Sequence, residues 1–358
     1  MDFNASLQQK LERYKAFYND PKPGQLLITI PPYTFEAPPR NGGGAYKTLK
    51  DWHPFEDAET MAESSVSFER YFAEYTADVG SDYIPNVCPS YGIGLCSAFL
   101  SNAEVIPGID TTWIHPVMED IFDESRLQFD PNNPWIDFMC RYMKRARALW
   151  DGDFCIGAYS AMAPSDLANA LRGNDLFYDL YDEPEGVHRL LDICVDATAK
   201  AYDVLRPYTL AMDGGYIAGG MWMPGEGMFL SEDGADLCSP DTYREFYMPA
   251  TQKLVDRIGG AYIHHHAKGW AIHSLISQVE NVDFLEFSWD PKCPRPVDHL
   301  DQLLEGSLHT PLQIRCTLDD LRRYLPQMKQ GRVSVMVNVD TKEEAKEAVR
   351  LVRNASVI

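Results

Sequence analysis

The feature that most constrains the fold is the regular alternation of strand and helix patterns along the chain. Short apolar runs alternate with amphipathic helical patterns, which is typical of a parallel α/β fold. The predicted strands are Gln25–Ile30, Asp82–Val87, Phe154–Tyr159, Thr209–Tyr216, Tyr262–His266, Phe284–Trp289, Leu312–Cys316 and Val333–Val339. The predicted helices include Asp57–Ala77, Pro184–Arg206, Pro240–Ile258, Trp270–Val279, Leu318–Met328 and Thr341–Arg353. This series predicts a (β/α)8 TIM barrel, with an open doubly wound sheet as the alternative.

The length of the chain and two of its long segments fit this prediction. A chain of 358 residues matches a single barrel, so we expect one domain over residues 1–358, with residues 1–24 as an N-terminal helical extension. Two long segments, 31–54 and 88–134, each follow a predicted strand. They should lie over the C-terminal mouth of the barrel, where enzymes of this fold build their active sites.

The charge balance and the cysteines narrow the function classes. A formal net charge of −21 argues against binding to nucleic acid or to anionic lipid, although a local cationic pocket remains compatible with it. The eight cysteines are scattered without a CxxC pair, which is typical of reduced, buried thiols. No run has the apolar length of a signal core or a membrane span. We therefore expect a cytoplasmic protein with a small-molecule substrate.

The strongest chemical signal is a run of three histidines at the end of the fifth predicted strand. Side chains alternate along a strand, so His264 and His266 share one face and His265 takes the other. Two imidazoles on one face can chelate Zn(II), which needs three or four ligands in total. The candidates for the remaining positions are Asp213, Glu286, Asp290 and Cys316, and the predicted metal set is His264, His266 and Cys316. The alternative is that the imidazoles act on a polar substrate without a metal.

A second group of candidates follows the predicted fourth strand and includes several glycines. Glycine allows the backbone to approach a ligand closely, and carboxylates in such a pocket can act as acids or bases. The predicted catalytic residues are Asp213, Asp233, Tyr159 and His264. The predicted substrate-binding residues are Trp222, Met223, Glu226, Tyr91, Trp113 and Lys268. Each of these residues also has a structural alternative. The glycines would form a turn, Asp233 would cap a helix, and Tyr159 would belong to a buried aromatic layer of the barrel.

Several segments, in their order along the chain, resemble a known superfamily. They are Leu167–Gly173, Asp182–Glu185, Asp233 with Ser239–Pro249, the histidine run, and Val333–Val339 with Thr341–Ala345. The most specific of them is the helix that starts at Ser239-Pro240 and continues to Phe246 and Pro249. Together they resemble the uroporphyrinogen decarboxylase superfamily, which includes the decarboxylase itself and the methylcobalamin:thiol methyltransferases. This resemblance also implies a TIM barrel.

The resemblance implies a zinc site with a changed ligand set. In the methyltransferases a His-x-Cys pair at the fifth strand and a cysteine on the last strand bind zinc. His264 matches that histidine and His266 stands at the first cysteine position, whereas the last strand, Val335–Asn338, has no cysteine. The arginine-rich motif of the decarboxylase is reduced to Arg40, and its late histidine corresponds to Asn338.

These differences favour methyl transfer over decarboxylation. The implied reaction is one-carbon transfer between a corrinoid, on a partner protein or as free cobalamin, and a nucleophile activated by a metal such as Zn(II). A decarboxylase or related lyase acting on a carboxylated substrate is the second interpretation, and a non-catalytic ligand-binding barrel is the third. Related barrels often self-associate, so a homodimer is included among the expected partners.

Overall fold

The computed structural model describes residues 3–35, 48–109, 111–307 and 309–358, with only the backbone for residues 3–6. Strands and helices alternate along these residues. The strands are β1 (Leu26–Thr29), β2 (Asn86–Val87), β3 (Ile106–Pro107), β4 (Thr112–Trp113), β5 (Cys155–Ile156), β6 (Ala161–Met162), β7 (Gly215–Ala218), β8 (Met221–Pro224), β9 (Met228–Ser231), β10 (Ala261–His266), β11 (Val282–Ser288), β12 (Leu312–Thr317) and β13 (Val333–Asn338). The helices are α1 (Phe3–Asn19), α2 (Pro54–Tyr75), α3 (Leu95–Ser101), α4 (Pro134–Leu149), α5 (Pro164–Arg172), α6 (Leu176–Asp182), α7 (Pro184–Leu205), α8 (Pro240–Thr242), α9 (Met248–Ile258), α10 (His273–Ile276), α11 (Leu300–Gly306), α12 (Leu318–Met328) and α13 (Lys342–Ala355).

A parallel sheet forms the centre of the molecule. Within the described residues it has seven strands in the order β1-β13-β12-β11-β10-β9-β6, and β2 and β5 form a separate parallel pair. A backbone hydrogen bond from Asp82 N to Ile28 O ties the residues before β2 to β1. This α/β architecture is consistent with a TIM-like fold and agrees with the predicted fold class.

Helices pack on the outside of the sheet because their sequences carry an apolar stripe. In α13, Ala345, Ala348, Val349 and Val352 recur at helical spacing and are all buried. The helix begins where the Thr341 hydroxyl accepts a hydrogen bond from the Glu344 amide, which satisfies one of the unpaired amides of its first turn. Such local signals explain why α12 and α13 begin within a residue of their predicted starts.

The predicted strand Thr209–Tyr216 is wrong. The strand that joins the sheet in this region is β9, and residues 215–224 form the antiparallel β7–β8 hairpin instead. At the tip of the hairpin Gly220 has φ +74°, and a Cβ at this position would lie 2.2 Å from the nearest ring atom of Tyr83. Only glycine fits there, so the tip can pack directly against the Tyr83 ring.

Helix α1 covers the hairpin at the N-terminal end of the sheet. Its Leu7, Leu11, Tyr14 and Phe17 are buried in one hydrophobic cluster with hairpin residues such as Trp222. The predicted N-terminal helix is therefore present and fills this end of the fold with apolar side chains. In the part of the chain that the structure describes, no helix is long and apolar enough to cross a membrane.

Candidate metal centre

Three side chains converge at the carboxyl ends of β9 and β10. His264 and His266 lie on the same face of β10, and Asp233 follows β9, which pairs in parallel with β10. The Nε2 atoms of the two histidines are 3.0 Å apart. Asp233 Oδ1 lies 3.5 Å from His266 Nε2 and 3.8 Å from His264 Nε2. Two nitrogens and one oxygen therefore face a common point, as the ligands of a metal ion do.

The outer nitrogen of each imidazole contacts a carboxylate. His264 Nδ1 lies 2.9 Å from Glu286 Oε2, and His266 Nδ1 lies 2.9 Å from Asp290 Oδ1. The parallel register pairs His264 with Glu286, so β11 places this carboxylate directly beside the ring. A carboxylate that accepts a proton from Nδ1 fixes the tautomer and leaves the Nε2 lone pair available to a metal.

Without a metal, we expect His264 Nε2 to carry a proton. Burial lowers the pKa of His264, but the charge and hydrogen bond of Glu286 outweigh burial and raise the pKa to about 9. Burial raises the pKa of Glu286. The charge and hydrogen bond of His264 outweigh burial, so the pKa of Glu286 falls to about 2. A charged His264 donates from Nδ1 to Glu286 and from Nε2 to His266. A metal ion would replace the proton on His264 Nε2.

The third side chain, Asp233, has an oxygen without a partner. Its Oδ2 accepts a hydrogen bond from Ser231 Oγ at 3.0 Å, whereas its Oδ1 is buried and has no hydrogen-bond partner among the described residues. An unsatisfied buried carboxylate oxygen is costly, and a cation would satisfy it. Two imidazole nitrogens and one carboxylate oxygen are also the donor set of many catalytic zinc sites, where one position stays open for a substrate. The residues present thus fit a divalent metal.

Two further carboxyl groups, which sequence reasoning missed, position this centre. Asp166 Oδ2 shares the hydroxyl proton of Ser231 with Asp233 Oδ2 and accepts a hydrogen bond from the Asp233 amide at 3.1 Å. Burial and the charge of Asp233 raise the pKa of Asp166 to about 8. Asp236 Oδ2 accepts a hydrogen bond from the His266 amide at 2.8 Å. The one sequence signal for Asp166 is an acidic residue in the first turn of α5, which is also typical of an ordinary helix start.

The structure corrects the predicted third ligand. Cys316 is buried in the main hydrophobic core, on the face of β12 that carries Ile314. The opposite face carries Gln313, whose side chain meets the hydroxyl of Tyr262 on β10. Tyr262 shares its face with His264, so Cys316 points away from the imidazoles. Asp233, predicted as an acid or base, lies beside the two imidazoles instead.

Several predicted site residues lie elsewhere, at the N-terminal side of the sheet. Asp213 is in the turn before β7 and forms an ion pair with Lys15 at 2.6 Å. Trp222 and Met223 are buried in the hairpin beneath α1. Glu226 is exposed and pairs with Arg206. The wrong fourth strand explains the error, because it would have placed these residues at the opposite end of the sheet.

The remaining predicted residues have other contacts or are exposed. Tyr159 is fully buried with its ring edge-on to Phe99. The Tyr91 hydroxyl donates to the backbone oxygens of Leu49 and Trp52, so it anchors a loop. Trp113 in β4 is 56% exposed, and Lys268 is exposed just beyond β10.

Comparison with solved structures shows the fold in another protein. A methyltransferase from Methanosarcina mazei superposes with a TM-score of 0.62 at 13% identity, over 97% of this chain and 98% of that chain. The metallated form of the homocysteine methyltransferase MmuM from Escherichia coli gives a TM-score of 0.40 at 11% identity, over 94% and 99% of the two chains. No protein-family profile and no curated protein matches the sequence. At this level of identity, the first likeness shows a shared fold.

Proposed function

We propose that this chain is a metal-dependent methyltransferase of the uroporphyrinogen decarboxylase superfamily, built as a single barrel domain over residues 1–358. It would pass a methyl group between a corrinoid, free or on a partner protein, and a small thiol. One observation carries the proposal: the Nε2 atoms of His264 and His266 and Oδ1 of Asp233 converge, while carboxylates hold both Nδ1 atoms. The shared fold with a solved methyltransferase supports methyl transfer in general.

The residues of the chain would prepare the site for a thiol. Zn(II) suits this donor set best, and when bound it would supply the Lewis acidity that keeps a thiol deprotonated near neutral pH. Glu286 and Asp290 hold the two rings in place, so that their Nε2 atoms need no reorientation. Metal binding at His264 would require the proton on its Nε2 to be lost. Asp166 fixes the backbone of Asp233 from behind.

The first experiment measures metal content. Purified protein is loaded with Zn(II), dialysed and analysed by mass spectrometry, beside the variants His264→Gln, His266→Gln and Asp233→Asn. We expect one zinc per chain in the parent and a loss in each of these variants. Asp213→Asn is the matched control for Asp233→Asn, because Asp213 is paired with Lys15 away from the site. Equal zinc in parent and Asp233→Asn would remove the carboxylate from the ligand set, and a parent without zinc would contradict the proposal.

The second experiment measures the reaction. The zinc-loaded chain is mixed with methylcobalamin and a thiol, and the loss of methylcobalamin is followed by its absorption. We expect turnover that depends on zinc and on His264. Demethylation at the same rate with the parent and with His264→Gln, or no demethylation by zinc-loaded parent with free or protein-bound methylcobalamin, would contradict methyl transfer.

A further inference from the structure

The carboxylate behind His264 is itself held by a second donor, the hydroxyl of Tyr262. Glu286 Oε2 lies 2.9 Å from His264 Nδ1 and accepts a hydrogen bond from the Tyr262 hydroxyl at 2.7 Å. The parallel register pairs Glu286 with His264, and Tyr262 lies two residues earlier on the same face of β10. The other oxygen, Oε1, accepts a hydrogen bond from Ser288 Oγ at 3.3 Å. Both oxygens of Glu286 are therefore bound by the chain.

The Tyr262 hydroxyl donates its single proton to Glu286. The hydroxyl also contacts Oε1 of Gln313 on β12, but one proton cannot serve two acceptors, and a charged carboxylate is the stronger of the two. The other end of the Gln313 amide lies 3.3 Å from Thr29 Oγ1. With the amide turned over, its nitrogen donates to the phenol oxygen and its oxygen accepts from Thr29. A directed chain of hydrogen bonds then runs from Thr29 on β1 to the carboxylate behind His264.

Packing holds the ring of Tyr262 in place. The residue is 1% exposed. Phe229 on β9 stacks on the ring with the two centres 5.3 Å apart, and the ring of Phe284 on β11 lies at 6.4 Å. A buried ring that is packed by both neighbouring strands has little room for another rotamer. The hydroxyl is therefore a fixed donor, and Glu286 is oriented by it.

The carboxylate behind His266 lacks this support. Asp290 Oδ1 lies 2.9 Å from His266 Nδ1, and within the described residues no other side chain donates to Asp290. The Asp290 side chain is 23% exposed, against 12% for Glu286. This difference indicates that His264 is the imidazole that the chain holds more firmly before a metal binds.

We propose that Tyr262 is a positioning residue of the metal centre, which directs His264 Nε2 toward the metal by fixing Glu286. The inference rests on the proposed function and adds a residue that acts only through this carboxylate. A carboxylate fixed in one place keeps the proton on Nδ1 of His264 and leaves the Nε2 lone pair in one direction. Without the hydroxyl, Oε2 keeps a single donor, and Glu286 is free to turn away from the ring.

The first measurement is zinc affinity, by competition with a chelator. We expect Tyr262→Phe to bind zinc about tenfold more weakly than the parent, as when an outer partner of a metal ligand is lost. Tyr216→Phe is the matched control, because the Tyr216 hydroxyl donates to Asp283 Oδ2, also at 2.7 Å, at the start of β11. This control should keep the affinity of the parent. In a Glu286→Ala background, Tyr262→Phe should cause no further loss, since its effect passes through Glu286.

The second measurement follows the His264 ring by NMR in protein with nitrogen-labelled histidine, both metal-free and zinc-loaded. The Nδ1 proton donates to Glu286 in both forms and is protected from water by this bond. We expect it to exchange about tenfold faster in Tyr262→Phe than in the parent, as for the loss of about one hydrogen bond. Tyr216→Phe should exchange at the rate of the parent.

The outcomes separate this inference from the proposed function. Zinc affinity or proton exchange in Tyr262→Phe equal to that of the parent would overturn the role of Tyr262. Equal losses in Tyr216→Phe would show a general loosening of the fold, and a loss that persists in Glu286→Ala would show another route; either result would also overturn it. A parent that takes up no zinc would contradict the metal centre, and the exchange rate in metal-free protein would still decide whether Tyr262 positions His264.

Discussion

Replacing Glu286 by Gln tests the electrostatics of the centre in the metal-free protein. Burial lowers the pKa of His264, and Glu286, with smaller contributions from Asp233 and Asp166, overcomes burial and raises it from 6.5 to about 9. This difference of about 2.5 in pKa corresponds to about 3 kcal/mol of interaction. The side chain of His264 is only 18% exposed, so solvent screens the pair little. Because the lowered pKa of Glu286 arises from the same pair, the contribution is counted once.

The sign of the pH dependence follows from the raised pKa. A histidine whose pKa is higher in the folded state stabilises the fold fully below its unfolded pKa of about 6.5, and this stabilisation is lost as the pH rises through about 9. We therefore expect the free energy of unfolding of the parent to exceed that of Glu286→Gln by about 3 kcal/mol near pH 6. The two values should converge toward pH 10. In the variant, burial is opposed only by the smaller contributions of Asp233 and Asp166, so the pKa of His264 should fall well below 9.

The assay is an NMR titration of the His264 ring together with urea unfolding at the two pH values, both on chelator-treated protein. Glu226→Gln is the matched control, because Glu226 is exposed and pairs with Arg206 at the surface. A surface pair contributes little, so this control should follow the parent within about 0.5 kcal/mol. A His264 pKa that stays near 9 in Glu286→Gln would refute the reasoning.

Four further expectations concern metal affinity and packing. Asp290→Asn should weaken zinc binding by about ten- to a hundred-fold in a chelator competition, because His266 loses the carboxylate that orients it. Cys316→Ser should leave that affinity unchanged, since the thiol lies in the core. The apparent zinc affinity should rise about tenfold per pH unit between pH 7 and about 9, where His264 loses its proton, and then level off. In thermal unfolding, Gly220→Ala should cost about 2–5 kcal/mol, because both positive φ and the Tyr83 ring oppose it, whereas Gly214→Ala, with φ +72° and no atom within 4 Å, should cost about 1 kcal/mol.

Most strands and helices could be predicted because local signals and packing agree. The predicted helix Leu318–Met328 matches α12, and Tyr262–His266 differs from β10 by one residue. The failure at Thr209–Tyr216 has a physical cause. A hairpin buried beneath the sheet is as apolar as a strand within it, so composition and alternation cannot tell the two apart, and the true strand β9 is only four residues long.

The sequence predicts the site residues that share one strand, because side chains alternate along it. It predicts less well the residues that other strands or loops bring to the site. The shared face of His264 and His266 follows from the period of two. The same rule, applied to β12, would have separated Cys316 from Arg315 and Gln313. Asp233 has no comparable signal, because it lies just beyond the end of β9, and only the pairing of β9 with β10 brings it to the histidines.

The filled N-terminal end of the sheet has a kinetic consequence. Since the β7–β8 hairpin and α1 fill that side with buried side chains, we expect a small molecule to approach His264 from the carboxyl ends of the strands. A methyl donor and a methyl acceptor would then have to approach the site from the same side. If the donor is a protein-bound corrinoid, the thiol must enter before that bulky partner docks, and the methylated product cannot depart until the partner withdraws.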